Sequence, residues 1–234
     1  MKATVEIDNI SYTADLNNGT DISIAIGKAD EVSAYGIPPS EISIYKDGGF
    51  VGDVDSGGSC NVRDIKMNPH GNGTHTECVG HVSKNYKTIY ETLKQHLFTS
   101  TLITVDVEDA ILPENLLFLK DLPKTKGLII RTLPNSTNKL SANYSGASAV
   151  YIHPSAMKMI AELGYEHLIV DLPSVDHETD PSLKSHKIYW ELEKDEQSTK
   201  TITELVYIPN SISDGMYLVN LMVPSIYCDA VPSK

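Results

Sequence analysis

Residues 69 to 81 read Pro-His-Gly-Asn-Gly-Thr-His-Thr-Glu-Cys-Val-Gly-His. This short run holds three of the chain's eight histidines, His70, His75 and His81, together with Glu77. Imidazole nitrogens and a carboxylate are the donor set of a divalent cation that activates water. On an extended chain His75 and Glu77, two apart, leave from the same face and can share one ion. His70 lies across Gly71 and Gly73, where glycine permits positive φ, so the segment can fold back and deliver His70 to the same point. The spacing is not the helix-borne H-E-x-x-H of a zinc protease, nor the paired C-x-x-C of a structural zinc finger. An all-nitrogen-and-oxygen set suits Zn, Mn or Fe(II) in an open, catalytic position. The same inventory also fits a solvated loop or hydrogen-bonded histidines in a polar pocket, and composition goes no further.

The elements that must carry these residues follow from patterning. Thr4 to Tyr12 and Asp21 to Ile26 alternate as strands do, split by turn residues. Gly52 to Ser59 is a glycine- and serine-rich loop, without the spacing of a calcium loop, expected to cover the site. Asn85 to Phe98 has apolar residues at helical spacing, and Pro113 to Leu119 and Pro154 to Leu163 start with proline as helices do. Leu102 to Val107, Gly127 to Thr132, His167 to Leu172, Ile202 to Ile208 and Met216 to Val223 read as buried strands. Strands mixed with two to four helices give an α/β or α+β class.

Composition bounds the rest. A chain of 234 residues buries a real core and is expected to form a single domain over 1–234. A net charge of −12 without a Lys/Arg cluster argues against nucleic acid. Three scattered cysteines do not make a disulfide framework. No apolar run approaches the roughly 18 residues of a membrane span, and no signal-like region opens the sequence, so the expected location is cytoplasmic.

Beyond the histidine run, three further landmarks follow in order. These are Leu168-Ile-Val-Asp-Leu-Pro-Ser-Val-Asp176, then His186 ahead of Ile202-Thr-Glu204-Leu-Val, then Asp214-Gly215 leading into Met216 to Pro224. Together they resemble the metal-dependent cyclase family, the group of bacterial kynurenine formamidase and isatin hydrolase, with its H-x-G-T-H-x-D-x-P-x-H signature. The resemblance spans roughly residues 5 to 230. It implies an α/β fold of the compact β/β/α, swivelling type, a mixed sheet with a few packing helices. It implies His70, His75 and Glu77 as ligands of a first metal. His81, His186 and Glu204 are then ligands of a second metal or, for His81 and His186, the catalytic acid/base groups. Zn or Mn, a small-molecule substrate and a homo-oligomer, dimer or tetramer, are implied with them. The implied chemistry is hydrolysis of an amide, formamide or lactone by metal-activated water, arylformamidase-like. A dehydratase or cyclase, or a non-catalytic small-molecule-binding protein on the same fold, are the other readings.

The sequence departs from the signature in four ways. Asn72 is one residue too many between His70 and His75, so either the loop bulges or His70 is displaced. Glu77 stands for Asp, and Cys78-Val79-Gly80 replaces the proline segment, with Cys78 a buried filler or a neighbour of the metal. His186 and Glu204 are separated by a charged stretch, Glu191 to Lys200, that an extended hairpin would absorb. Tyr12, Tyr35 and Tyr45 are substrate-ring or packing candidates, and Trp190 is the only tryptophan. His153 suits a helix start, and His96 a helix C-terminus. Asp171 and Asp176 suit turn caps or groups orienting a ligand histidine, and His177 could be either.

Overall fold

The computed structural model describes residues 1–7, 9–193 and 197–234. Its centre is a seven-stranded mixed sheet. In chain order the strands are β1 (His75–Glu77), β2 (Leu97–Asp106), β3 (Gly127–Leu133), β4 (His167–Val170), β5 (Thr201–Glu204), β6 (Gly215–Asn220) and β7 (Ala230–Pro232). Their order across the sheet is β6-β2-β3-β4-β5-β1-β7. The middle four run parallel, and β6, β1 and β7 are antiparallel to their neighbours. The helices are α1 (Pro69–Asn72), α2 (Ile89–Thr92), α3 (Pro154–Glu162) and α4 (Lys184–Tyr189).

Both faces of the sheet are covered, which is why its parallel strands read as unbroken apolar runs. Side chains alternate between two cores. Ile103, Leu128, Ile130, Leu168, Val170 and Ile202 pack with α3 and α4, around fully buried Trp190 and Tyr189. Leu102, Ile129 and Ile169 point the other way, onto Ile89, Phe98 and Val231.

Three expectations change here. The helix expected over Asn85 to Phe98 is a single turn, α2, held by a capping box between Thr88 and Glu91. Leu97 already belongs to β2, paired with Asn220, and sheet pairing overrides the helical spacing. His96 therefore ends no helix; its Nδ1 meets the Leu221 carbonyl at 3.1 Å. The segment Pro113–Asp121 is a 3-10 helix. The hairpin expected across Glu191 to Lys200 falls partly on 194–196, outside the described residues. Among the described residues, Asp21 to Ile26 makes no strand beyond one bridge, Ser23 to Val206.

Two excursions leave the sheet. Lys2–Ile7 and Ile10–Asp15 pair as an antiparallel hairpin. Among the described residues, the hydrogen bonds and ion pairs of residues 1–18 are all internal to that hairpin and its turn. Residues 41–66 form an arm closed on itself, where Arg63 binds Asp53 at 2.7 Å. The loop Gly52 to Ser59 belongs to this arm. Among the described residues no hydrogen bond or ion pair joins it to the histidine cluster.

His167 on β4 is buried against Phe98, with ring centroids 3.9 Å apart, and its Nδ1 meets Thr201 Oγ1 at 2.8 Å. Burial pushes its pKa down to about 4. The unfolded chain thus takes up a proton between about pH 6.5 and pH 4 that the folded chain refuses. Folding stability should fall with pH across that window, by roughly 2–3 kcal/mol from this residue. Denaturant unfolding of wild type and His167→Gln at pH 7 and pH 4.5 tests this. The variant should lose measurably less stability on acidification, and equal losses would refute the assignment.

Candidate metal centre

β1 is only three residues long, yet it sits between β5 and β7, so its register sets the site. His75 stands opposite Glu204, and Glu77 opposite Ile202 and Ala230. Strand alternation sends His75 and Glu77 to one face. Thr76 goes to the other, where its hydroxyl pairs with Thr203 at 2.8 Å. All six residues singled out in the sequence, His70, His75, Glu77, His81, His186 and Glu204, come together on the face that carries α4.

The extra residue Asn72 is absorbed locally. Pro69–Asn72 winds into one helical turn, capped by Asn68, whose side chain accepts from the His70 amide at 3.2 Å. Asn72 is buried, and its side chain binds the Asn68 amide at 2.8 Å and the Pro38 carbonyl at 3.0 Å. The loop bulges and His70 stays, its Nδ1 3.3 Å from Glu77 Oε2. The glycines act by size rather than by positive φ. A Cβ on Gly80 would lie 1.9 Å from the Lys87 carbonyl oxygen, and one on Gly73 would lie 2.8 Å from that of Ile24.

The centre is buried and dense in donors. His186 Nε2 lies 2.9 Å from Glu77 Oε1 and 3.7 Å from Glu204 Oε1. His75 Nε2 lies 3.4 Å from Glu204 Oε2, and His81 Nε2 lies 3.9 Å from Glu77 Oε2. Despite these short distances, both Glu77 oxygens, His75 Nε2 and His186 Nε2 have no aligned hydrogen-bond partner. They are four of the seven such buried side-chain atoms among the described residues. These atoms fall into two overlapping groups that share Glu77, one with His70 and His75 and one with His81 and His186. A buried carboxylate left unbonded is costly, and a cation beside it removes the cost. The donor set fits such an ion, because triplets of these residues place their ligand atoms within 4.8 Å of one another.

The far ring nitrogens are fixed from outside. His75 Nδ1 lies 3.0 Å from the Gly73 carbonyl. His186 Nδ1 lies 2.6 Å from Asp176 Oδ2, and Asp176 also accepts the Ser185 and His186 amides at the start of α4. Of the two acids in the Asp171 to Asp176 loop, Asp176 therefore orients a histidine, whereas Asp171 binds Lys139 and Thr132. Glu204 Oε1 accepts from the Val175 amide at 2.8 Å. His177 binds Thr179 at the surface, and His153 caps α3 through Ser155. Cys78 is a core filler, its thiol pushed up to about 11 by burial. Of the three tyrosines, Tyr35 comes nearest: its hydroxyl donates to the Pro173 carbonyl at 2.7 Å. Burial, then the charge of Glu204, raises its pKa.

Sequence reasoning missed Asp229, which enters just before β7. Its Oδ2 lies 3.3 Å from His70 Nε2 and 3.4 Å from His81 Nδ1. Nothing in Tyr-Cys-Asp-Ala-Val-Pro marks it; only the pairing of β7 with β1 brings it in.

The charges answer one another. Burial disfavours ionisation of Glu77, but the charges of His186 and its other histidine neighbours outweigh it and hold its carboxyl well below the usual range. Burial likewise opposes protonation of His186, which Glu77 and Asp176 overcome, raising it well above the usual histidine value. His70 is raised to about 10: burial opposes this, and Asp229 and Glu77 prevail. Protons thus fill the role of a cation when none is bound.

The Cyclase family model, described as "Putative cyclase", matches residues 14–177. No curated protein matches significantly. Among solved structures, the chain is similar to a potential metal-dependent hydrolase with cyclase activity. That alignment has TM-score 0.64 and 15% identity, and covers 92% of this chain and 95% of that one. It is similar to a predicted metal-dependent hydrolase from Bacillus stearothermophilus, with TM-score 0.64, 16% identity, and 92% and 94% coverage. It is also similar to an isatin hydrolase bound to the product analogue thioisatinate, with TM-score 0.63, 10% identity, and 92% and 90% coverage.

With pKa values raised on folding, His70 and His186 stabilise the metal-free fold below about pH 6.5. That contribution is lost as pH rises through the folded pKa, about 10 for His70. Chelator-treated protein should therefore melt at falling temperature from pH 7 to pH 10. Added Zn²⁺ or Mn²⁺ should raise the melting temperature by mass action, and more so at the higher pH. An absence of any metal-induced shift across this range would rule the centre out.

Proposed function

The chain belongs to the cyclase family, and from the geometry of its site we propose that it is a metal-dependent hydrolase of a small-molecule amide, formamide or lactone. The observation that carries this is the set of buried, unbonded atoms on His75, Glu77 and His186, within two donor groups that share Glu77. The isatin hydrolase among its structural neighbours supports a cyclic-amide or related C–N substrate.

In this reading His70, His75 and Glu77 would hold an ion as one group of close donors, with His186 beside Glu77 and Glu204 beside His75. When bound, Zn or Mn supplies Lewis-acid polarisation of a carbonyl and a pKa near 7 for a water at an open position. His186 has Nδ1 committed to Asp176 and Nε2 to the buried glutamates, and is nearly fully buried. It holds position and carries no proton in or out. His81 is the more open histidine, its side chain 25% exposed, with the longest approach to Glu77. We assign proton transfer to His81 Nε2: it receives a proton from the attacking water and gives it to the departing nitrogen. Water is added across the C–N bond, hydroxyl to carbon and hydrogen to nitrogen.

Among the described residues no helix is long and apolar enough to cross a membrane. All three cysteines are free, which suits the reducing cytoplasm where we place the protein. The self-contained N-terminal hairpin supports the reading of a homo-oligomer, since an isolated two-stranded hairpin is marginal in water.

A panel of aryl formamides, lactams and lactones, followed by product analysis, tests the reading. Wild type with metal should hydrolyse at least one class, and chelation or His75→Ala should reduce turnover at least 100-fold. His81→Ala should lower kcat by about 10²–10⁴-fold with metal still bound. Products lacking the elements of water would instead establish a dehydratase. A metal-loaded protein inert on the panel would favour a binding protein.

A further inference from the structure

Each histidine of the centre has one ring nitrogen tied to an acceptor and the other turned toward a buried glutamate. For His75 the acceptor is the Gly73 carbonyl, and for His186 it is Asp176. The outer pair share a single acceptor. Asp229 Oδ2 meets His70 Nε2 at 3.3 Å and His81 Nδ1 at 3.4 Å. Their other nitrogens, His70 Nδ1 and His81 Nε2, face Glu77 Oε2 at 3.3 Å and 3.9 Å. Asp229 is itself held. Its Oδ1 accepts from the Tyr86 hydroxyl at 3.2 Å and the Cys228 thiol at 3.4 Å, and its amide donates back to the Tyr86 oxygen at 3.0 Å.

Resting on the metal-site reading above, we propose that Asp229 is the positioning residue of the outer half of the centre. It fixes His70 as the Nε2–H tautomer and His81 as the Nδ1–H tautomer, so that both lone pairs face Glu77. The two rings thus present opposite nitrogens, a difference that residue type and spacing do not encode. The competing role for Asp229 is that of a ligand, grouped with His70 and His81. That role puts the lone pairs on the nitrogens facing Asp229 and the N–H groups on those facing Glu77. Hydrogen-bond geometry on these rings is met toward Asp229 Oδ2 and toward neither Glu77 oxygen, which favours the positioning role. Acceptors behind metal-bound histidines orient the ring, and losing one costs about 10–100-fold in metal affinity. Asp229 orients the ligand His70 and the proton-carrying His81 at once. Tyr86, 59% exposed, is a brace that can be removed with little effect on packing.

The test is calorimetric titration of metal-stripped protein with Mn²⁺ and Zn²⁺, with the visible spectrum of the Co²⁺ form as a second readout. Asp229→Asn should bind the same number of ions about 10–100-fold more weakly, with an altered Co²⁺ spectrum. Tyr86→Phe should weaken binding in the same direction by a smaller factor, and it covers the case in which Asp229→Asn folds poorly. Unchanged affinity and spectrum in both variants would overturn the proposal while leaving the centre intact. Loss of one whole equivalent in Asp229→Asn would also overturn it, by making Asp229 a ligand. Wild type that binds no ion would refute the metal reading itself, and the proposal with it.

Discussion

Two buried carboxylates govern this structure. Glu77 is fully buried and Glu204 nearly so, and they stand on neighbouring strands of one sheet. Burying one such charge costs several kcal/mol unless it is compensated. The surroundings supply that compensation from four directions. The Val175 amide reaches Glu204, His186 comes in on α4, His75 shares β1 with Glu77, and His70 and His81 flank β1 on short helical turns. The helix that brings His186 is anchored by Asp176, a third acid, held by the α4 amides as well as by the imidazole.

The sheet gives these groups their precision. Alternation along β1 separates function from packing. His75 and Glu77 face the centre, while Thr76 locks to Thr203 behind. β5 ends at Glu204 because Leu205 turns into the left-handed region, φ 55°, and its amide bonds back to Leu172. A non-glycine residue there stores strain. The bend delivers the Glu204 side chain beside the loop that carries Val175 and Asp176.

Much of this was legible in the sequence where local chemistry and period agree. Leu102 to Val107, Gly127 to Thr132 and His167 to Leu172 are apolar because both sheet faces are covered, and each falls on a strand. The six clustered site residues were visible by type and by order along the chain. What was hidden depended on partners distant in sequence. Asn85 to Phe98 has helical spacing, but Ile89 and Leu93 serve the core while Tyr86 serves Asp229. Asp229 itself is an ordinary acid until β7 pairs with β1. Gly71 and Gly73 suggested a fold-back through positive φ, yet Gly73, like Gly80, lets two backbones approach.

The placement of β1 has a kinetic consequence. Thr76 meets Thr203 at a sequence separation of 127, and Asp229 meets His70 at a separation of 159. Contacts between such remote segments close late and slowly, after the entropy of large loops has been overcome. The parallel core of β2, β3 and β4 can assemble with shorter crossovers, before β1 is inserted. In a small zinc module the ion organises the chain; here the chain must seat the three-residue strand β1 between two others before the donors meet. The cluster of donors is thus a product of the completed sheet, assembled by contacts between segments far apart in the chain.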